Sequence, residues 1–310
     1  MKKESIIPKA NIILINCFIS EMDVVERSKI TYRVNITVFL NWVFSNGYDY
    51  SRLDCVSILK YKTHLIEESK SPSTIDSYLT AVRKYFKWTS IHNTHDNIAE
   101  KVKGPKRSKT INKMPLSLEQ AKQLLNSVDT STPVGIRDYT IIKVLLKTAL
   151  RISELQRVLI SDIKDLSGQK VLYIQGKRHI SKDDFIQLTK STYNTILKCI
   201  ALTEVKSNVD PLFKSFSPQN PGDPITSRSI SRVVKEHLIK IGLNDKRYTA
   251  HSLRHTAACL MITSGATLYE TQLFMRHNDP AITIIYTRFL ENELKLANAC
   301  GLKMDELFSD

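Results

Sequence analysis

The chain has 310 residues, 45 Lys+Arg against 31 Asp+Glu, and a formal net charge of +14. Apolar residues at 42% provide enough core material to exclude an intrinsically disordered chain, and only 9 Gly and 10 Pro exclude a collagen-like one. The charge admits an anionic partner without choosing between nucleic acid and an acidic membrane.

The excess charge is not evenly spread. Residues 1–100 carry 13 basic and 11 acidic residues, and residues 117–310 carry 26 and 20. The sixteen residues 101–116 carry six basic and no acidic residues, close to half of the net charge.

No apolar run approaches the roughly 20 residues of a membrane span. Ile12–Ile15 is broken by Asn16, and Lys2-Lys3-Glu4 opens no cleavable leader. The five cysteines (Cys17, Cys55, Cys199, Cys259, Cys300) are widely separated and form no C-x-x-C pair. Neither a zinc site nor a disulfide framework is therefore expected, and reduced thiols in a cytoplasmic protein are. No glycine-rich phosphate loop is present, so no nucleotide cofactor is indicated.

In chain order, residues 6–100 read as helices. Thr31–Phe44 repeats apolar residues every three or four positions (Tyr32, Ile36, Phe39, Leu40, Val43), and Gly47 is a stop signal. Val56–Glu67 follows the same period. Ser71-Pro72-Ser73 opens a third helix, with Ser71 as cap and Pro72 in the first turn. That helix carries Arg83, Lys84 and Lys87 beside Tyr85 and Trp88, which is either a solvated face or a strip for an anion.

Lys101–Lys109, with Gly104-Pro105 and no periodicity, reads as a linker. Ser117-Leu118-Glu119-Gln120 is a capping box that restarts helical structure, and Ile141–Leu150 reads as a buried helix. Around 170–188 the period changes to that of strands, with Gly176–Asp184 as a polar connection. Helices resume at Tyr193–Leu202, Thr226–Ile241, His251–Ser264 and from Asp279-Pro280 through Tyr286. The amphipathic segment Glu291–Leu307 comes last.

Three local patterns carry reactive groups: Arg151-Ile152-Ser153-Glu154-Leu155, His251-Ser252-Leu253-Arg254-His255, and His277 with Tyr286 nine residues later. Singly, each has a structural explanation: a salt bridge, a capping histidine, a packed tyrosine. Together Arg151, Arg254, His251, His277 and Tyr286 offer two guanidiniums, two imidazoles and a phenol. A planar guanidinium grips two phosphate oxygens at once, an imidazole moves a proton near neutrality, and an activated phenol can attack phosphorus.

In these residues the chain resembles the tyrosine recombinase (phage integrase) family, and its Xer-type members in size and layout. The resemblance covers nearly the whole chain, with the motifs in the family's order. Ser71–Ile75, Phe86-Lys87-Trp88 and Gly104–Arg107 resemble the family's core-binding domain and linker. Two departures stand out: Ala149 replaces the glycine usual two residues before the first arginine, and Met275-Arg276-His277 replaces a frequent Leu-Gly-His, placing extra charge by the site.

The resemblance implies a mainly α fold with a small antiparallel β-sheet in the catalytic domain, arranged as a two-domain C-shaped DNA clamp. The parts would be a helical core-binding domain (1–100), a basic linker (101–116), a catalytic domain (117–290) and a C-terminal segment (291–310). That last segment would dock on a neighbouring protomer through Leu294, Leu296, Leu302 and Leu307. With so few residues ahead of the first helix, no arm-binding domain is expected.

The implied catalytic set is Arg151, Lys177, His251, Arg254, His277 and the nucleophile Tyr286. Lys177 would be the general acid on a β-hairpin, with Lys182 as the alternative. His251 would be the base, and Glu154 would orient its neighbours. The implied DNA contacts are Arg83, Lys84, Lys87, Lys101, Lys103, Lys106, Arg107 and Lys109. No cofactor and no metal are implied.

The expected activity is site-specific recombination through a 3′-phosphotyrosyl bond and a Holliday junction. It would run on a homotetramer at paired inverted half-sites in double-stranded DNA, in a nucleoid-associated setting. A related recombinase or an accessory protein is a further partner of that kind. A nicking or topoisomerase-like enzyme, or a catalytically degenerate DNA-binding regulator, are the alternatives.

Overall fold

A computed structural model describes residues 6–106, 113–176, 181–203, 207–291 and 307. The chain divides into two compact units, Met1–Ser108 and Lys109–Asp310. The first is helical: α1 (Lys9–Ser20), α2 (Glu26–Ser45), α3 (Cys55–Glu67) and α4 (Pro72–Ile91). Its core centres on aromatic rings. Phe39, Tyr61, Tyr85 and Phe86 are fully buried, and Phe39 meets Tyr61 and Phe86 edge-on at 5.0 and 5.9 Å between ring centroids. Edge-on pairs of this kind favour a unique packing over a loose one.

Sequence signals set the ends of these helices. Ser71 accepts from the Thr74 N–H with Pro72 in the first turn, as the sequence implies. Asp54 and Ser57 form a reciprocal cap on α3. The helix runs five residues further toward the N-terminus than the pattern over Thr31–Phe44 suggests, and Glu26, Arg27 and Ile30 in that turn are exposed, so no apolar period marks it.

The basic segment after α4 is not a free tether over its described residues. Val102 is buried in the first unit's core, its carbonyl accepts from Arg83 Nη1 (3.0 Å), and the Lys103 carbonyl accepts from Lys62 Nζ (2.9 Å). At the other end, the Met114 N–H donates to the Arg247 carbonyl and the Leu116 N–H to Thr256 Oγ1, both within the second unit.

The second unit contains α5 (Leu118–Asn126), α6 (Pro133–Thr148), the short α7 (Ile152–Leu155), β1 (Ile163–Leu166), β2 (Gln169–Ile174), β3 (Asp184–Gln187), α8 (Lys190–Leu202), α9 (Ser227–Lys240), α10 (Ala250–Thr263), α11 (Leu268–Met275) and α12 (Pro280–Phe289). The sheet is antiparallel in the order β1-β2-β3, with Ile163 opposite Leu172 and Leu172 opposite Ile186. Ser167 and Gly168 join β1 to β2 with φ of 53° and 77°. Both central residues are left-handed, which suits the twist of a two-residue hairpin. The fold is therefore mainly α with a small antiparallel sheet.

Most of the second unit's apolar side chains form one cluster that includes Leu124, Ile142, Leu172, Phe213, Val234 and Leu253. A smaller cluster of Ala149, Ala257, Ala258, Cys259, Met275 and Tyr286 packs α10, α11 and α12 together. Fully burying a Val, Leu, Ile, Phe or Met side chain contributes about 1.5–3 kcal/mol over leaving it exposed. No described helix is long and apolar enough to cross a membrane.

Candidate active site

The reactive residues sit at helix ends. Arg151 is the residue before α7, and Glu154 reaches back so that Oε2 accepts from the Arg151 backbone N–H (2.8 Å) while Oε1 accepts from its Nη1 (2.7 Å). The turn that delivers Arg151 passes through Ala149 at φ 51°. Alanine thus takes the left-handed conformation that glycine adopts at no steric cost. His251, Arg254 and His255 lie in the first turns of α10, where Ser252 Oγ accepts from the Thr249 N–H (3.0 Å). Asp279 caps α12 through the Ala281 N–H (2.9 Å), and Pro280 begins it, which fixes where Tyr286 falls.

The geometry converges on Tyr286, 4% exposed. Its hydroxyl lies 3.0 Å from His255 Nδ1, and its ring lies parallel to that of His277 at 6.3 Å between centroids. His277 Nδ1 is 2.9 Å from Thr283 Oγ1, a bond that orients the imidazole. Arg254 is buried and bridges two turns: Nη1 donates to the Ala149 carbonyl and Nη2 to the Met275 carbonyl (2.5 Å). Arg151, Glu154, Gly176, Asp184, Arg276 and His277 line a cavity of about 640 Å³.

Electrostatics follows from burial among cations. Burial, then Arg151 and Arg276, lowers the Arg254 guanidinium to about 9. Burial and the guanidiniums of Arg254, Arg151 and Arg276 hold His277 at about 4. Burial, His251 and Arg254 hold His255 at about 4. Both imidazoles are neutral at neutral pH. Burial raises Tyr286 to about 12, although Arg254 opposes the shift. Arg151 and Arg276 both pair with the buried Glu154 carboxylate, whose charge also favours the Arg254 cation, and Asp183, Asp184 and Asp279 line the same cavity.

Of the expected site residues, Arg151, Arg254, His277 and Tyr286 come together with Glu154. His251 is exposed at the start of α10, and no described residue hydrogen-bonds it. Lys177 lies outside the described residues, although Gly176 before it lines the cavity. Lys182, the alternative, is held by the Asp162 carboxylate and the Arg157 carbonyl (3.1 Å).

Among the expected DNA contacts, Lys84, Lys87, Lys101, Lys103 and Lys106 are exposed. Lys84 lies over the Tyr32 ring at 4.9 Å. Arg83 is spent inside its own unit, on Val102, Thr80 and Asp76. Arg107 and Lys109, and the tail with Leu294, Leu296 and Leu302, lie outside the described residues.

Two residues with roles in this geometry were not singled out as site residues from sequence. His255 was visible as the last residue of its motif, but nothing in the spacing told that it faces Tyr286. Arg276, expected to add charge beside a phosphate, turns inward instead onto Glu154 (3.2 Å). Among the described residues no three His, Cys, Asp or Glu side chains gather as a metal site.

Residues 115–293 match the phage integrase family, which is more than half of the chain, so the chain belongs to that family, the tyrosine recombinases. It is Xer-like within it. Tyrosine recombinase XerD of Listeria innocua is 28% identical over 251 residues, 80% of this chain and 82% of that one. Tyrosine recombinase XerA of Pyrococcus horikoshii is 27% identical over 280 residues, 90% of each chain. Among solved structures, the XerH recombinase in a post-cleavage complex with its palindromic difH substrate shares the fold with a TM-score of 0.71, at 20% identity over 88% of this chain and 79% of that one. A lambda integrase dimer on a core site gives 0.66 at 15% identity, over 88% and 93%. The enzyme class is accordingly a site-specific tyrosine recombinase.

Proposed function

We propose that this chain cuts and rejoins double-stranded DNA at paired inverted half-sites through a covalent bond between Tyr286 and a 3′-phosphate. The observation that carries the proposal is the Tyr286 hydroxyl, held 3.0 Å from His255 Nδ1 and within the field of the Arg254 and Arg151 guanidiniums.

Tyr286 Oη attacks the scissile phosphorus, and the bond from phosphorus to the 5′-oxygen breaks. The phenol's proton goes to His255 Nδ1, the imidazole nitrogen within hydrogen-bond reach, rather than to His251, to which the resemblance gives that role. Lys177 gives the leaving 5′-oxygen its proton. Arg151 and Arg254 grip the non-bridging oxygens and stabilise the charge that develops on them. His277 donates to the same phosphate. The 5′-hydroxyl of a partner strand then attacks the phosphotyrosine and releases Tyr286. One phosphate ester replaces another, so the reaction is energetically near balance and draws on no external energy source.

A homotetramer on two sites, passing through a Holliday junction, accounts for exchange of both strands. This is the reading we give the C-terminal segment 291–310 and its leucines. The two domains and the linker 101–116 would grip DNA with Lys84, Lys87, Lys101, Lys103, Lys106, Arg107 and Lys109. Each phosphate neutralised releases counterions, so affinity falls steeply with salt. Resolution of dimers or cointegrates, and integration or excision of a mobile element, all use this chemistry, on DNA of the nucleoid.

The test begins with a pool of nicked duplexes whose arms are randomised. The wild-type protein is expected to retain some members covalently. When a partner strand with a free 5′-hydroxyl is added to the retained duplex, a joined recombinant strand is expected. Covalent capture without joining to a partner would mark a nicking enzyme and contradict the recombinase reading, and specific binding without capture would mark a DNA-binding regulator.

A further inference from the structure

Arg276 occupies a backbone position that arginine has no conformational reason to fill. It ends α11 at φ 52°, in the left-handed region. A side chain there adds strain that glycine avoids. Yet the side chain does not reach for solvent: it folds inward and is 10% exposed. Nη1 donates to the carbonyls of Thr148 (3.2 Å) and Phe274 (3.1 Å), and Nη2 donates to the Ala149 carbonyl (3.3 Å) and to Glu154 Oε2 (3.2 Å). Nε has no hydrogen-bond partner and lies 3.8 Å from the carboxylate of Asp184, the first residue of β3.

Arg276 and Arg151 therefore draw on the same buried carboxylate. Glu154 Oε1 holds Arg151 Nη1, and Oε2 is shared by the Arg151 N–H and Arg276 Nη2. The Ala149 carbonyl is shared in the same way by Arg254 and Arg276. Arg276 itself is poorly placed to hold a phosphate. Each of its terminal nitrogens already makes two hydrogen bonds, where each of those of Arg254 makes one, and the nitrogen without a bond lies near Asp184, whose charge repels an anion.

We infer that Arg276 is a positioning residue: by clamping Glu154 and the Thr148–Ala149 turn, it fixes the Arg151 guanidinium in the place from which it meets the scissile phosphate. The inference rests on the proposed function. No bond is made or broken at Arg276. A catalytic group held loosely by its supporting contacts loses rate even when it is present.

The experiment uses the nicked duplex retained by the wild type, whose capture is also the control for the proposed function. Single-turnover capture and DNA affinity are measured for Arg276→Gly and Arg276→Lys. A purely conformational role for position 276 ranks glycine at or above arginine, and lysine last. Positioning ranks arginine first, lysine second and glycine last, with capture by Arg276→Gly slowed by about tenfold to 10²-fold. DNA affinity is expected to stay within about twofold, since the lost interaction concerns the transition state. In an Arg151→Lys background the same glycine substitution is expected to cost less than about threefold, because its target is already gone.

A readout independent of cleavage is the Arg151 side-chain NMR signal in isotope-labelled protein without DNA. Restricted motion is expected in the wild type and averaging in Arg276→Gly. Wild-type capture by Arg276→Gly, an undiminished penalty in the Arg151→Lys background, or an unchanged Arg151 signal would each overturn the inference. Absence of capture by the wild type would instead sink the proposed function, and the Arg151 signal would still decide the positioning claim.

Discussion

Arg254→Ala is expected to slow covalent capture of DNA by about 10²–10³-fold, the usual loss when one preorganised donor to a developing oxyanion is removed. The structure gives a reason to expect this loss to be catalytic rather than a collapse of the fold. Arg254 is a buried cation whose terminal nitrogens bond neutral carbonyls, of Ala149 and Met275, and whose neighbours Arg151 and Arg276 carry the same sign. Deleting it takes the donor from the Met275 carbonyl, a cost of about 1–3 kcal/mol, while the Ala149 carbonyl keeps Arg276, and it removes a charge that burial and its neighbours disfavour. The two effects oppose each other, so the melting temperature should move far less than the rate. Arg254→Lys separates charge from shape: it keeps the cation and loses the fork, and it should remain slow because a point charge does not hold two phosphate oxygens in a plane. Capture kinetics beside thermal melting of the three proteins checks both statements, and a lysine variant at wild-type rate would contradict the role given to the fork.

Glu154→Gln should have the largest effect on stability. Glu154 is 2% exposed and serves as counter-charge to Arg151 and Arg276 at once. Removing one member of a buried ionic group costs about 3–5 kcal/mol, because the remaining charges stay buried without compensation. At about 2–4 °C per kcal/mol for a unit of this size, the melting temperature should fall by about 6–20 °C.

The pH dependence of that difference follows from the carboxyl's shift. Burial pushes the Glu154 carboxyl up, but Arg276, the Arg151 N–H and the Arg151 guanidinium outweigh it and leave it below its ordinary value. A carboxyl whose folded pKa is depressed contributes stability that is fully present above its unfolded pKa, about 4.3, and is lost as pH falls through the lower folded value. The gap between wild type and Glu154→Gln should thus be widest at neutral pH and close in acid. A gap that persists unchanged in acid would mean that the loss came from packing rather than charge.

What the sequence revealed was governed by range. Capping signals act within one helical turn, and those at Ser71, Ser117 and Asp279 are realised as hydrogen bonds in the structure. The reactive motifs were legible because several of their members are three or four residues apart on a helix end, as Arg151 with Glu154 and His251 with Arg254 are. Short or weakly patterned elements escaped. β1 is four residues long with three of them exposed, so no alternation could show, and α11 spans only eight residues without a clear apolar stripe.

Contacts between distant segments were not readable at all. Arg276 meets Glu154 across 122 positions, and His255 meets Tyr286 across 31. The same holds for the basic strip on α4. Composition made Arg83 look available to DNA, while its bond to the Val102 carbonyl, beside those to Asp76 and Thr80, depends on where the chain returns after α4. The positive charge of 101–116 also has a local structural side, since Val102 anchors its start in the first unit's core.

In the proposed reaction Tyr286 becomes bonded to DNA. The most direct measurement is mass mapping of the adduct formed between the wild-type protein and the retained nicked duplex. A 3′-phosphonucleotide is expected on the peptide that contains Tyr286, and no adduct at all from Tyr286→Phe. An adduct that maps to another residue, or one that survives the Tyr286→Phe substitution, would contradict the proposed reaction.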